Sequence, residues 1–299
     1  MRRNRFIELV LGMSLWCLIC VSGCSVGPRA LHEKMVELQH PMAPGNTVDV
    51  KTSSGSIKIE GIETNECSVV AKISVRAETE VRAAEIAEQI EIRITRTTSG
   101  LEIRADKPKL THVSISISYH ITGPNRTSVV CHSSSGSVKV MNIEGDVNAR
   151  SSSGSVRCEN LLGDTATLDT SSGSVHLNEA KLNTCSLHTS SGSIHGHQID
   201  CSDIRANVSS GSITIVCVQT SSPALKADLQ TSSGSVNLTV PKDYAGQIDL
   251  STSSGSIRTD LPVTVQGKVS KKHLVGTVGN GSGTIRLKSS SGSVRLKTN

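Results

Sequence analysis

Apolar and polar residues alternate along much of this chain, and the alternation restarts at one recurring phrase. Ser-Ser-Gly-Ser followed by Val or Ile occurs at Ser53–Ile57, Ser134–Val138, Ser152–Val156, Ser171–Val175, Ser190–Ile194, Ser209–Ile213, Ser232–Val236 and Ser253–Ile257. A further copy is Ser290–Val294, and a variant, Gly281–Ile285, precedes it. The glycines Gly136, Gly154, Gly173, Gly192 and Gly211 are 18, 19, 19 and 19 residues apart, with Gly234 and Gly255 following at 23 and 21. Aligned on these glycines, apolar columns stand out. Seven and five residues before each lie pairs such as Val129 and Cys131, Ala166 and Leu168, Cys185 and Leu187, or Ile248 and Leu250. Two and four residues after it lie Val138 and Val140, Val156 and Cys158, Val175 and Leu177, or Ile213 and Ile215. One polar residue separates the members of each pair, which is the period of a strand with one buried and one wet face.

A fixed period means one small unit stacked on copies of itself. The expected fold is all-β: a parallel β-solenoid of about 19 residues per rung, right-handed by the crossover rule. Each rung would be strand, Ser-rich turn, strand and a second turn, often Gly-Asp as at Gly145-Asp146 and Gly163-Asp164. A β-sandwich of short strands is the alternative, but it has no need of a repeated turn phrase at constant spacing. Gly283 and Gly292 are nine residues apart, about half a period, which predicts a terminal half-rung closing the open sheet edge.

Upstream the rhythm is interrupted. Thr47–Gly61 reads as a first rung, Ser68–Ala77 as a strand and Glu80–Gln89, rich in Ala and Glu, as a short helix. Ile90–Ile94 and Leu101–Ile103 around a turn at Thr97–Gly100 read as a hairpin, and His112–Ile121 as another strand. The chain therefore divides into a leader, 1–23, a tether, 24–45, a first rung with a strand–helix–hairpin cap, 46–126, and the repeat body, 127–299. The tether contains Pro28, Pro41 and Pro44 and no recognised strand pattern.

The leader has a positive start (Arg2, Arg3, Arg5), a short apolar run (Leu9–Val21) and then Val21-Ser22-Gly23-Cys24. The apolar run is short for a membrane span. The box resembles that of bacterial lipoproteins, in which the cysteine thiol is diacylglycerylated, the leader is cut before it and the new amine is acylated. The resemblance implies that Cys24 carries a lipid, that the partner of the N-terminus is a membrane, and that the protein resides in the cell envelope; Ser25 in place of an aspartate leans to the outer membrane. The other possibility is an ordinary secretory leader with an incidental cysteine.

A first Gly-Ser-Ile rung, a strand–helix–hairpin insertion and repeated Ser-Gly-Ser-Val rungs, over Asn46–Lys297, resemble the bacterial putative-adhesin β-solenoid family, a domain-of-unknown-function family of envelope proteins. That resemblance implies a non-enzymatic role in envelope interaction and transfers no functional residue, because its motifs are periodic.

Composition agrees with a thin rod. The net charge of +5 falls to about +3 without Arg2, Arg3, Arg5 and Glu8. The single Phe and single Trp lie in the leader, leaving Tyr119 and Tyr244 as the only rings of that kind. No basic block or aromatic-basic platform points to nucleic acid. The many serines offer no Gly-x-Ser-x-Gly elbow and no serine singled out beside a histidine and carboxylate, so a hydrolase is not indicated. A glycan-cleaving β-helix would grip sugars with aromatic platforms and carry clustered acids, and neither is evident. No cofactor is expected.

Three further groups merit placement. His176 and His195 fall in one outward column on adjacent rungs, with His197 two residues along, a weak candidate for zinc or copper against a merely solvated face. Cys67, Cys131, Cys158, Cys185, Cys201 and Cys217 lie outside the leader; Cys131, Cys158 and Cys185 sit in inward columns as small hydrophobes, and Cys201 could pair with Cys217 or Cys185. Thr170, Thr189, Thr231 and Thr252, interrupted by Ser133, Ser151 and Val208, could form an outward ladder of the ice-binding kind. The variable column His132, Arg150, Asp169, His188, Asn207 and Gln230 is the expected binding face. Its partner would be an envelope or cell-surface protein or glycan. The competing functions are a scaffold or stress sensor without a dedicated ligand and, further off, a glycan-acting enzyme.

Overall fold

A computed structural model describes residues 30–218, 224–265 and 270–299. The N-terminal part contains β1 (Ala30–Pro41), β2 (Thr47–Ser54), β3 (Ile57–Ile62), β4 (Glu66–Ala77), α1 (Glu80–Glu88), β5 (Glu91–Arg96), β6 (Gly100–Asp106) and β7 (Ser114–Pro124). The repeats follow as β8 (Ser128–Ser135), β9 (Val138–Glu144), β10 (Val147–Ser151), β11 (Val156–Leu162), β12 (Thr165–Ser172), β13 (Val175–Ser191), β14 (Ile194–Ser210), β15 (Ile213–Cys217), β16 (Lys226–Ser233) and β17 (Val236–Val240). The chain ends with β18 (Gly246–Thr252), β19 (Ile257–Thr259), β20 (Thr264–Val265), β21 (His273–Val278), β22 (Gly283–Ser291) and β23 (Val294–Thr298).

The strands before the Ser-Ser-Gly-Ser corner stack in parallel on one face, and those after it stack on another. Register is exact to the repeat: Val129 pairs with Val147, Val147 with Ala166, Ala166 with Cys185 and Cys185 with Ile204. On the other face Val138 pairs with Val156, Val156 with Val175 and Val175 with Ile194. The columns predicted to be apolar line a continuous interior, with Leu168, Leu177, Cys185 and Ile194 fully buried. Burying such a side chain contributes on the order of 1.5–3 kcal/mol, and the stack repeats that gain at every rung. The fold is all-β and solenoid-like, with one helix.

The turn phrase has a steric and a polar explanation. A Cβ on Gly136, Gly154, Gly173, Gly192, Gly211 or Gly234 would overlap the carbonyl of the glycine one rung before it. Only glycine permits the corners to stack at strand spacing. The serine after each glycine links rungs on the outside: the backbone N–H groups of Ser174, Ser193, Ser212 and Ser235 donate to the hydroxyls of Ser155, Ser174, Ser193 and Ser212 at 3.2–3.3 Å.

Inside the same corner runs a second ladder. Ser133, Ser151, Thr170, Thr189, Thr231, Ser289 and Thr252 are buried. Their hydroxyls donate to the carbonyls of Gly55, Gly136, Gly154, Gly173, Gly211, Gly234 and Gly292 at 2.7–3.0 Å. This corrects the outward ice-binding ladder. Threonine three residues before the glycine continues the inward set at seven and five, and its hydroxyl is tolerated there because a carbonyl accepts its proton.

The second half of each rung bends where the sequence shows no glycine. Asn142, Asn160, Glu179 and Gln198 take φ of 52–56°. This left-handed corner turns the chain so that Ile143, Leu161, Ala180 and Ile199 point inward. The Asn160 side-chain amide donates to Asn142 Oδ1 at 3.0 Å, joining two of these corners.

Two expectations about the ends fail. The segment 24–45 is not wholly a tether, because β1 is a 12-residue strand antiparallel to β4, with Val36 opposite Ala71 and Leu38 opposite Val69. Its alternation is masked by His32, Lys34 and His40 on the half-buried side and by Leu31 and Met35 on the exposed side. The C-terminal segment does not close an edge. β23 lies between β17 and β19, pairing Val294 with both Val236 and Ile257. β22 likewise lies between β16 and β18. The glycine column confirms the order: Gly292 stacks on Gly234 and Gly255 on Gly292. β21, antiparallel to β18, covers that end instead. At the opposite end β7, β4 and β1 extend the turn-following face, β6 and β5 extend the turn-preceding face, and α1 closes the interior with Ala83, Ile86 and Ala87. Thr79 caps this helix by accepting the Arg82 N–H at 3.2 Å.

Candidate binding face

On the turn-preceding face, side chains between the buried columns point outward and align along the stack. His132 pairs with Arg150, Arg150 with Asp169, Asp169 with His188, His188 with Asn207 and Asn207 with Gln230. The six predicted residues thus form one row at the strand spacing of about 4.8 Å. Lys51 extends it at one end and Lys288 at the other. Arg150 and Asn207 are exposed, and the other four are half-buried by their neighbours.

The row beside it supplies the hydrogen-bond partners. Arg150 Nε donates to Asn148 Oδ1 at 3.1 Å, and Gln230 Nε2 donates to Asp228 Oδ1 at 2.9 Å. Arg205 is paired with Asp203 at 2.9 Å. His188, Asn207 and Gln230, with Ser186, Arg205 and Asp228, line a shallow depression of about 380 Å³ spanning three rungs. It offers charges of both signs and amide groups on rigid strands, which suits recognition of a polar partner without covalent chemistry.

The histidine candidates lie on the other face. His176 pairs with His195, and their rings stack with centroids 5.1 Å apart and planes 16° from parallel. Partial burial, then Arg157, then His195 hold the His176 pKa below the usual imidazole value. His197 sits one row over, paired with Asn178. Stacked rings do not aim their nitrogens at one point, and among the described residues no three His, Cys, Asp or Glu side chains are grouped to hold a metal.

The six cysteines among the described residues are all buried and free, so neither Cys201 pairing is present. Cys201 Sγ instead donates to the carbonyls of Asn183 and Asp203, at 3.3 and 3.2 Å. Burial pushes the thiols of Cys67 and Cys201 up to about 11 and that of Cys217 to about 12. They remain protonated and unreactive at neutral pH. Cys24 lies outside the described residues, and among those described no helix is long and apolar enough to cross a membrane.

Sequence reasoning missed the mixed-charge row's companion, the cation row on the turn-following face. His176 and His195 were recognised as one outward column, but Lys139 and Arg157, likewise one residue after a buried-column start, were passed over because the columns were read for their apolar members.

No curated protein matches this chain. Among solved structures, it is similar to a putative adhesin from Bacteroides fragilis, with 14% identity over 89% of this chain and 97% of the other and a TM-score of 0.46. It is also similar to a putative cell adhesion protein from Clostridium sporogenes, with 13% identity over 89% of this chain and 100% of the other and a TM-score of 0.29. Residues 83–297, most of the chain and nearly all of the repeat body, match the Toastrack DUF4097 family, and the chain belongs to that family.

Proposed function

We propose that this chain is a lipid-anchored, non-enzymatic binding module of the cell envelope, adhesin-like in the sense that it holds a partner on a rigid strand face. The observation that carries the reading is the row His132–Gln230. The inward columns of strand residues stay apolar from rung to rung, whereas this outward row varies in charge and shape along the stack. Repetition suffices for stacking, so the variation is free to serve a partner.

The anchor is proposed at Cys24, from the box Val21–Cys24 after a basic and apolar leader. The outer membrane is the proposed site, and the partner is an envelope or cell-surface protein or glycan. Tyr119 and Tyr244 are both buried, so among the described residues the surface offers no aromatic platform for a neutral sugar. A protein or charged glycan therefore fits better.

The test is a pull-down with the whole chain in mild detergent, using envelope extracts and intact cells. Wild type is compared with the triple variant Arg150→Ala, Asp169→Ala, His188→Ala. Saturable retention of one partner, lost in the variant, supports the module. Retention unchanged by the variant, or none above a bare detergent control, sinks it and leaves the chain as a scaffold.

A further inference from the structure

The turn-following face carries a row unlike any other on the molecule. One residue past the first buried residue of each strand, on the outside, Lys58 pairs with Lys139, Lys139 with Arg157, Arg157 with His176 and His176 with His195. After Thr214 and Asn237 the row resumes with Arg295 and Arg258, which pair with each other. No acidic residue occurs anywhere in it. Like charges directly opposite on adjacent strands destabilise a sheet, so Lys58, Lys139 and Arg157 in succession, and Arg295 beside Arg258, cost folding free energy that the stack does not require. The turn-preceding row breaks the same sequence with Asp169 between Arg150 and His188.

The neighbouring row neutralises only part of this charge. Lys58 pairs with Glu60 at 3.0 Å and Lys139 with Glu159 at 3.1 Å. Among the described residues Arg157 and Arg258 have no ion pair, and both are exposed. Arg295 donates only to the Asn237 amide oxygen, at 3.3 Å. What is left is one line along the stack, its positions about 4.8 Å apart, with Lys58, Lys139 and Arg157 toward one end, Arg295 and Arg258 toward the other, and His176, His195, Thr214 and Asn237 between them.

We infer that this row binds a linear acidic polysaccharide laid along the stack. Cations recurring along one line, with no acid among them, match a ligand that carries negative charge repeatedly along its length. Arginine forks hold carboxylates by paired N–H donors. Among the described residues the face exposes no Phe, Tyr or Trp, the side chains that best stack neutral sugars or unpaired bases. The site is separate from the mixed row on the turn-preceding face, and neither depends on the other.

The probe is fluorescently labelled polygalacturonate, read by anisotropy against the whole chain in neutral detergent. Dextran of similar length is the neutral control and duplex DNA a competitor. Expected is saturable binding that weakens steeply as salt rises from about 0.01 M to about 0.15 M, where screening shortens from about 30 Å to about 8 Å. The double variant Lys139→Gln, Arg157→Gln loses about ten-fold or more in affinity, while Lys109→Gln, Lys271→Gln, matched in charge but off the row, stays within about two-fold of wild type. Equal losses in both doubles, equal binding of dextran, or no binding at low salt overturns the assignment. Stronger competition by duplex DNA than by unlabelled polygalacturonate overturns it in favour of nucleic acid. Failure here leaves the pull-down on the other face untouched, since the variants do not overlap.

Discussion

The internal hydroxyl ladder gives the sharpest test of how the rungs are held. Thr170 is fully buried, and its hydroxyl donates to the Gly154 carbonyl at 2.7 Å. Thr170→Val keeps the side-chain shape and removes only the donor, so no cavity forms. The Gly154 carbonyl then loses its partner inside the corner. Leaving a buried acceptor unsatisfied costs about 1–3 kcal/mol, which in a chain of this size lowers Tm by roughly 2–4 °C per kcal/mol. The reverse change is available in the same column. Val208 pairs with Thr189 and Thr231 but brings no hydroxyl to the ladder, so Val208→Thr should stabilise by about 0.5–1.5 kcal/mol, the net value of one such bond. Thr167→Val, on the wet side of the same strand as Thr170, should be silent within about 0.5 kcal/mol. Because stacked repeats can open locally, thermal melting is combined with amide exchange. Thr170→Val should speed exchange at Ser172–Val175 more than at Val236–Val240. If it melts with wild type and exchange is unchanged, the ladder does not hold the corners together.

Three further outcomes are expected. Gly173→Ala places a methyl against the Gly154 carbonyl and should destabilise by about 1–3 kcal/mol or more, seen as a lowered urea midpoint; a midpoint equal to wild type would show that the corners are not in contact. Removing Gly283–Asn299 extracts an internal rung, so limited proteolysis should cut throughout 241–278; a digest that leaves this stretch protected would mean that β22 and β23 sit at the end of the stack. Alkaline stability should fall. A thiol with a raised folded pKa contributes stability that is whole below the unfolded thiol value of about 8.5 and is lost as pH rises through about 11 for Cys67 and Cys201 and about 12 for Cys217. The slope is up to about 1.4 kcal/mol per pH unit for each thiol, so urea midpoints should drop between about pH 8 and pH 10.5. A flat profile contradicts the burial of these thiols.

What the sequence could reveal followed from one property: periodicity reports equivalence. Val129, Val147 and Ala166 share a column because each meets the same surroundings, and the register repeats that column residue for residue. The helix and hairpin of the cap were equally legible, the Ala- and Glu-rich Glu80–Gln89 marking the helix and Thr97–Gly100 the turn. Periodicity does not report order, however. Gly292 is equivalent to Gly234 and Gly255, and nothing in the spacing says that it stacks between them. That placement shows only in the pairing, where β22 lies between β16 and β18 and β23 between β17 and β19. Nor does alternation survive a corner: the left-handed Asn142 and Glu179 shift the inward set by one residue, so the column of Ile143 and Ala180 was invisible to a strict two-residue count. The candidate faces obey the same logic. Inward residues are constrained to match their neighbours, so their pattern describes the fold. Outward residues are constrained only by charge and by whatever they touch. A row that alternates in sign, like Arg150, Asp169 and His188, is compatible with stability alone; a row that does not, like Lys58, Lys139 and Arg157, opposes it and therefore points more strongly to a ligand.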